Sequence, residues 1–462
     1  MSLPTITVNN STGSDTAASG SGGTAISGTG ASLNGTTTVD LSADTPDLSG
    51  VPTDGSGVLW CDTTSGLQFS KITAVDDGAD TVTVATAYSV TESSRNWGIG
   101  GKRATYEGIR KLLTADILPG WTVDVDHTGT DYTITSKMET SISGDTTSGK
   151  ITLKSTSSTR PTINLDTASN QTSHHELNVN HWLVDHLAFD HINTGRILEG
   201  VIVIDSGGVN VEFRDCEITE LSFGGVLSPQ LVEISQNTND TEPRFKNCWF
   251  HDGIKGVFAY YIQKHSALNI TGCLFEDLTS YAIHMDDVDG PLIYRNEIVG
   301  ASYGIYCSGI VRAGNFFHNV IVDSTNDGIF LTGSGIYDSC IQGNIFQGNG
   351  GYGLNSDTVP DNLNFADFNA YRSNTSGQAN GITQGANEVT LTADPFTNAS
   401  SGDYTLNDTA GGGAACKAVG GPSEVGLITG TRSNNIDIGA HQSAAGAGGG
   451  LLRVGMSGGM NG

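Results

Sequence analysis

From Trp182 to about Tyr371 one arrangement of apolar and polar positions returns eight times. It runs apolar, two polar or corner residues, a small anchor, any residue, apolar. Clear copies are Phe213-Arg214-Asp215-Cys216-Glu217-Ile218, Phe245-Lys246-Asn247-Cys248-Trp249-Phe250 and Ile293-Tyr294-Arg295-Asn296-Glu297-Ile298. The anchors fall at Leu187, Cys216, Cys248, Cys273, Asn296, Asn319, Asn344 and Asn369, in steps of 29, 32, 25, 23, 23, 25 and 25 residues. Steps of this size with short strands inside them predict a coil repeating along an axis. A second register keeps the same period: Gly225-Val226, Gly256-Val257, Ala282-Ile283, Gly304-Ile305, Gly328-Ile329 and Gly353-Leu354, mostly preceded by an aromatic or polar residue.

Two registers in phase predict a parallel β-helix with several sides. Each strand stacks on its equivalent about 4.8 Å along the axis, and alternation turns the apolar ends of each copy inward. A leucine-rich repeat shares the period but needs regular leucines and helical segments, which are lacking here. The anchors should stack too, three cysteines followed by four asparagines. An inward Asn can satisfy backbone groups of the neighbouring coil, while a Cys fills the same small volume.

Around this core the chain divides into an extended arm (1–38), a small β module (39–103), the helix proper (104–387), closing coils (388–442) and a Gly-rich tail (443–462). Asp76-Asp77-Gly78 marks a hairpin inside the module. Thr105 to Ile117 has the one apolar face of an α-helix, expected to cap the open end of the solenoid. The segments around Asn193–Gly200 and Ser235–Pro243 lengthen two coils and are expected as surface loops.

The chain also carries Asp394-Pro395-Phe396, Gly402-Asp403-Tyr404-Thr405-Leu406 and Ile438-Gly439-Ala440-His441-Gln442. Over roughly residues 104–442 it resembles the right-handed parallel β-helix proteins of the pectate-lyase-like superfamily, whose last coils commonly carry DPxF, GDYxL and IGAxQ. The resemblance implies an all-β solenoid. It leaves open polysaccharide lyases, glycosidases, adhesins and the trimeric tail spikes and other virion proteins of bacteriophages.

Charge narrows the partners. A net charge of −27 in 462 residues excludes a basic nucleic-acid interface and disfavours an anionic membrane surface. The N-terminal MSLPTITVNN has neither the basic segment nor the apolar run of a secretory signal, and no transmembrane stretch occurs. The expectation is a protein made in the host cytoplasm and carried on a virion. Its partners would be two further copies of itself, other virion proteins through residues 1–38 and 443–462, and host-surface polysaccharide. A secreted adhesin is a third reading.

For chemistry, Asp286 and Asp287, with Asp289, stand as candidate general acid and base, because paired carboxylates on an outer face suit glycoside cleavage. They match only the DD motif among the four of pectin hydrolases, and Ser308-Gly309 occupies the place of a GHG. Asp215 with Glu217, and Glu276 with Asp277, are further acidic pairs, and Arg295 is the basic residue that follows Asp286 in the chain. His174, His175, His181, His186 and His191 lie close in sequence with Asp185 and Asp190, but their spacing specifies no metal site. Solvated acids and corner histidines are the plainer reading of all these residues. No cofactor or metal is expected. The leading expectation is a structural head-decoration or tail-spike component, and the alternative a polysaccharide hydrolase or lyase.

Overall fold

The computed structural model describes residues 5–8 and 26–440, apart from segments 104–119, 166–170, 192–196, 206–209, 221–229, 236–241, 263–267, 333–335, 358–364 and 420–436 and shorter gaps between residues 49 and 209 and at 418. The helix expected over 105–117, the Gly225-Val226 pair and the Gly-rich tail lie outside the described residues. The chain forms two compact units, Met1–Pro229 and Gln230–Gly462.

The first unit holds a closed barrel of Ile26–Asn34, Thr38–Asp40, Val58–Thr63, Gly66–Asp76, Thr81–Val84 and Thr91–Ile99. Leu33, Val39, Leu59, Ile72, Val82 and Trp97 fill it. The expected hairpin is present, its turn fixed by Asp76 Oδ1 accepting Gly78 N and Ala79 N, both at 3.1 Å. Part of the stretch read as an arm is built in: Ile26–Asn34 is a barrel strand, and Thr5–Val8 pairs in parallel with Lys102–Arg103 and Thr122–Val125. Coils follow, in which Val123, Leu153, Val184 and Phe213 make one buried file.

The second unit carries the regular coils, a parallel β-helix of three sheets. In the first sheet Phe245, Ile270, Ile293, Phe316 and Ile341 stack in register. In the second, Phe250, Phe275, Ile298, Ile321, Phe346 and Tyr371 do so. The third stacks Val232, Val257, Ile283, Ile305, Ile329 and Leu354. These side chains are buried, and the rings of Phe250 and Phe275 stack with centroids 4.6 Å apart. The two registers of the sequence are thus the linings of different sides.

The corner between the first and second sheets follows one rule in both units. The residue before the anchor is left-handed in every coil: His186, Asp215, Asn247, Gly272, Arg295, His318, Gly343 and Phe368 have φ between 52° and 66°. That conformation costs non-glycine residues roughly 1–2 kcal/mol each. The turn it makes points the anchor inward, and the asparagines repay the cost. Asn296, Asn319 and Asn344 each donate backbone N and Nδ2 to the Oδ1 of the next asparagine, at 2.9–3.0 Å. Each Nδ2 also donates to a carbonyl of the preceding coil, Ile270, Ile293 or Phe316, at 2.9 Å. Cys273 N donates to Asn296 Oδ1 at 2.9 Å, and Cys248 N donates to Cys273 Sγ at 3.4 Å. Cys216 is buried at the same corner in the first unit, with Sγ 3.5 Å from Val184 O. A second asparagine file, Asn349 and Asn374, forms at another corner.

The first file ends on a carboxylate. Glu388 accepts Asn369 N at 2.7 Å and Nδ2 at 3.1 Å. Burial pushes Glu388 up to about 7, against the opposing pull of the Asn369 bonds. Beyond it, Phe396–Asn398 pairs with Asp403–Leu406, and Phe396, Tyr404, Ile438 and Ala440 close the core. Gly439 has φ 96° and donates to Gly343 O at 2.7 Å. A Cβ there would lie 2.7 Å from Ile345 Cδ1, so the closing motif needs glycine at this position.

Two outcomes are expected. Asn344→Ala leaves the N–H of Asn319 and the carbonyl of Phe316 unpaired in the core, and chemical denaturation should show a loss of about 2–4 kcal/mol. Because the folded pKa of Glu388 lies above its unfolded value, its contribution is complete below pH 4.5 and lost as pH rises through about 7. Thermal melts of Glu388→Gln should lose that part of the decline across this window.

Candidate functional site

The third sheet of the second unit sends alternate residues outward, and parallel stacking puts equivalent positions side by side. In strand Tyr281–Asp289, Ile283 and Met285 point in while His284 and Asp286 point out. The register then aligns Phe258, His284, Tyr306 and Phe330 in one outward file, each following an inward apolar residue. Beside it Tyr281 pairs with Tyr303, and Tyr260 with Asp286. The rings form a continuous array. Centroid separations are 4.6 Å for Phe258–His284, 5.0 Å for His284–Tyr306, 4.6 Å for Tyr281–Tyr306, and 5.6 Å from Phe330 to both Tyr303 and Tyr306. These side chains are half-buried, lying against one another with part of each surface open.

Charged groups border the rings. Lys255 Nζ lies 4.9 Å from the centre of the Phe258 ring and 5.9 Å from that of Tyr281, a cation–π geometry. No hydrogen bond or ion pair holds it among the described residues, and burial lowers its pKa while Glu233 works the other way. Burial, helped by the Lys255 ammonium, pushes His284 down to about 4, so its imidazole is neutral at pH 7. His284 Nε2 is 2.9 Å from Ser308 Oγ, and its buried Nδ1 has no hydrogen-bond partner among the described residues. Ser308 also hydrogen-bonds the Asp286 carboxyl, whose pKa burial and then the Asp287 charge raise. His284, Ser308 and Asp286 thus form a short relay beside the rings, able to hold a proton on the carboxyl or pass one along.

The acidic candidates separate into different tasks. Asp286 and Asp287 both face outward because Asp287 is left-handed, with φ 55°. Asp287 Oδ1 accepts Ile310 N at 2.7 Å, tying down the turn, and Asp289 pairs with Arg312 at 3.2 Å. Asp286 alone is left to the relay. Gly309 completes the turn, since a Cβ there would come within 2.2 Å of Asp286 Oδ1.

The other candidates sit elsewhere. Arg295 occupies a corner, with its guanidinium 4.9 Å from the centre of the Tyr294 ring. Asp215 and Asp277 are left-handed corner residues, Glu217 pairs with Arg160 at 2.7 Å, and Glu276 stands in register with His251. His181 and His186 are corner residues too. His175 packs edge-on against Phe189 at 4.7 Å, and buried His191 has Nδ1 3.8 Å from Glu220. The side chain of His174 lies outside the described residues. Among the described residues no three His, Cys, Asp or Glu side chains group to hold a metal ion.

The ring array and Lys255 are absent from the sequence-based candidates. Their signal was present as an aromatic or His immediately after the inward residue of the second register.

A family model described as "Right handed beta helix region" matches residues 197–370. No curated protein matches the chain. Among solved structures, an alginate lyase from Paenibacillus sp. str. FPU-7 aligns at 14% identity and TM-score 0.44, over 62% of this chain and 97% of that one. The Dettilon tailspike protein aligns at 10% and 0.34, over 62% and 57%, and Bacteriophage CBA120 tailspike protein 3 at 12% and 0.29, over 62% and 58%. The chain is a right-handed parallel β-helix, with its aromatic face on one of three sheets.

Proposed function

We propose that this protein is a saccharide-contacting β-helix of a bacteriophage-like particle, binding host-surface glycan on the outward face built by Phe258, Tyr281, His284, Tyr303, Tyr306 and Phe330. The observation that carries this reading is the ring array itself. Aromatic faces pack against the C–H faces of sugar rings, while nearby polar groups take the hydroxyls. The coil spacing of about 4.8 Å is close to the length of one pyranose unit, so successive coils can address successive sugars. The particle setting, as a trimeric head-decoration or tail-spike component, rests on the resemblance of the repeat.

A second reading, cleavage of the bound glycan, is favoured by the His284–Ser308–Asp286 relay. Asp286, its carboxyl biased toward the protonated form, would then serve as the general acid.

Calorimetric titration of the intact protein with host capsule or lipopolysaccharide oligosaccharides tests both. Tyr306→Ala should weaken binding about tenfold, near 1.4 kcal/mol, with the fold unchanged by circular dichroism. Equal binding by wild type and variant overturns the reading. Chain shortening that stops in Asp286→Asn would establish cleavage, and glycan of unchanged length would leave a binding protein. A monomer by light scattering counts against the trimer.

A further inference from the structure

The charges around the ring array differ from one end to the other. Lys255 lies at the Phe258 end, its ammonium over two rings and held by no hydrogen bond or ion pair among the described residues. Glu233 is the carboxylate that acts on Lys255, but among the described residues it makes no ion pair with it and is held by Gln230 and Tyr260. A half-buried cation without a direct ion pair is costly to keep, and it attracts an anion that can supply one. The chain as a whole is strongly acidic, at −27. The Tyr303–Tyr306 part of the array has carboxylates for neighbours: Asp327 beside Tyr303, and Asp357 beside Tyr306. A ligand bearing a charge on every sugar would gain at Lys255 and be repelled over the following coils.

We infer that the face selects a glycan of mixed character, with one carboxylated sugar seated at Lys255 and uncharged sugars running over Tyr281, Tyr303, Tyr306 and Phe330. This rests on the saccharide-binding reading and adds to it the chemical class of the ligand and its direction along the axis. The lysine supplies a point charge for the carboxylate, the rings supply stacking, and the acids downstream exclude a second anion.

Calorimetry on the full chain at low and physiological salt tests this with three probes: a hexasaccharide with a single terminal glucuronate on five N-acetylglucosamine units, its carboxyl-reduced form, and hexagalacturonate. The singly charged probe should bind best, and its affinity should fall as salt rises. Carboxyl reduction and Lys255→Met should each weaken it about tenfold, without adding to one another, and Lys255→Arg should restore most of the binding. Equal affinity for the acidic and reduced probes overturns the role of Lys255 and leaves the saccharide reading standing. Tightest binding of hexagalacturonate overturns the exclusion of a second charge. Binding of none of the three, reduced form included, overturns the saccharide reading and this inference together.

Discussion

The structure depends on the left-handed corner and on the inward asparagine that follows it. A parallel β-helix must turn its chain sharply in every coil, and each turn leaves backbone groups that no strand can pair. Here the corner residue takes the strain while the anchor answers the unpaired groups of adjacent coils. The bargain is visible where the corner is least suited to it. Of the four left-handed corner residues that are not Gly, Asn or Asp, Arg295, His318 and Phe368 precede an asparagine with full hydrogen bonding, and only His186 precedes an apolar anchor, Leu187. Where cysteine is the anchor, the preceding residues are Asp215, Asn247 and Gly272, which tolerate the conformation. In the regular coils of the second unit, strain at these residue types coincides with hydrogen bonds that can hold it.

Exact stacking at the corner has a consequence on the opposite surface. Once each anchor is held to the next, the strands of the third sheet cannot slip, and a one-residue slip would turn every outward ring inward. Phe258, His284, Tyr306 and Phe330 belong to segments spaced by 26, 22 and 24 residues, yet stand in one file. Differences in loop length are absorbed outside the strands, so the face stays continuous. A site built this way is pre-organised, and a ligand need not meet the cost of ordering it.

Much of this was legible in the amino-acid order. The apolar–corner–anchor–apolar pattern states the first two sheets, and the asparagines at 296, 319, 344 and 369 imply their own ladder. The chemistry was less legible, for a physical reason. Sequence draws the eye to charged neighbours such as Asp286 and Asp287, whereas a solenoid site is assembled across coils, from residues more than twenty positions apart. The adjacent aspartates proved to have separate partners, Ser308 and the Ile310 amide, because one of them is left-handed. Tyr306 and Phe330 mean little one at a time. Their meaning comes from the register, which has to be settled first.

The same reasoning separates a binding face from an ordinary side of the tube. Outward residues of a solenoid need no apolar character, since water satisfies them, and most outward positions here are polar. Half-buried rings from four successive coils lie against each other on one face, while most aromatic residues of the other two sheets, such as Phe245, Phe250 and Phe346, line the core and Trp249 and Tyr294 are outward on separate sheets. The ring array also lowers the local dielectric, which is why His284 is held neutral and Asp286 is biased toward its protonated form. Ring surface and altered acidity therefore share one cause, the packing of aromatic side chains outside the coil. A ligand covering the rings would deepen that burial and strengthen the charges at its edges.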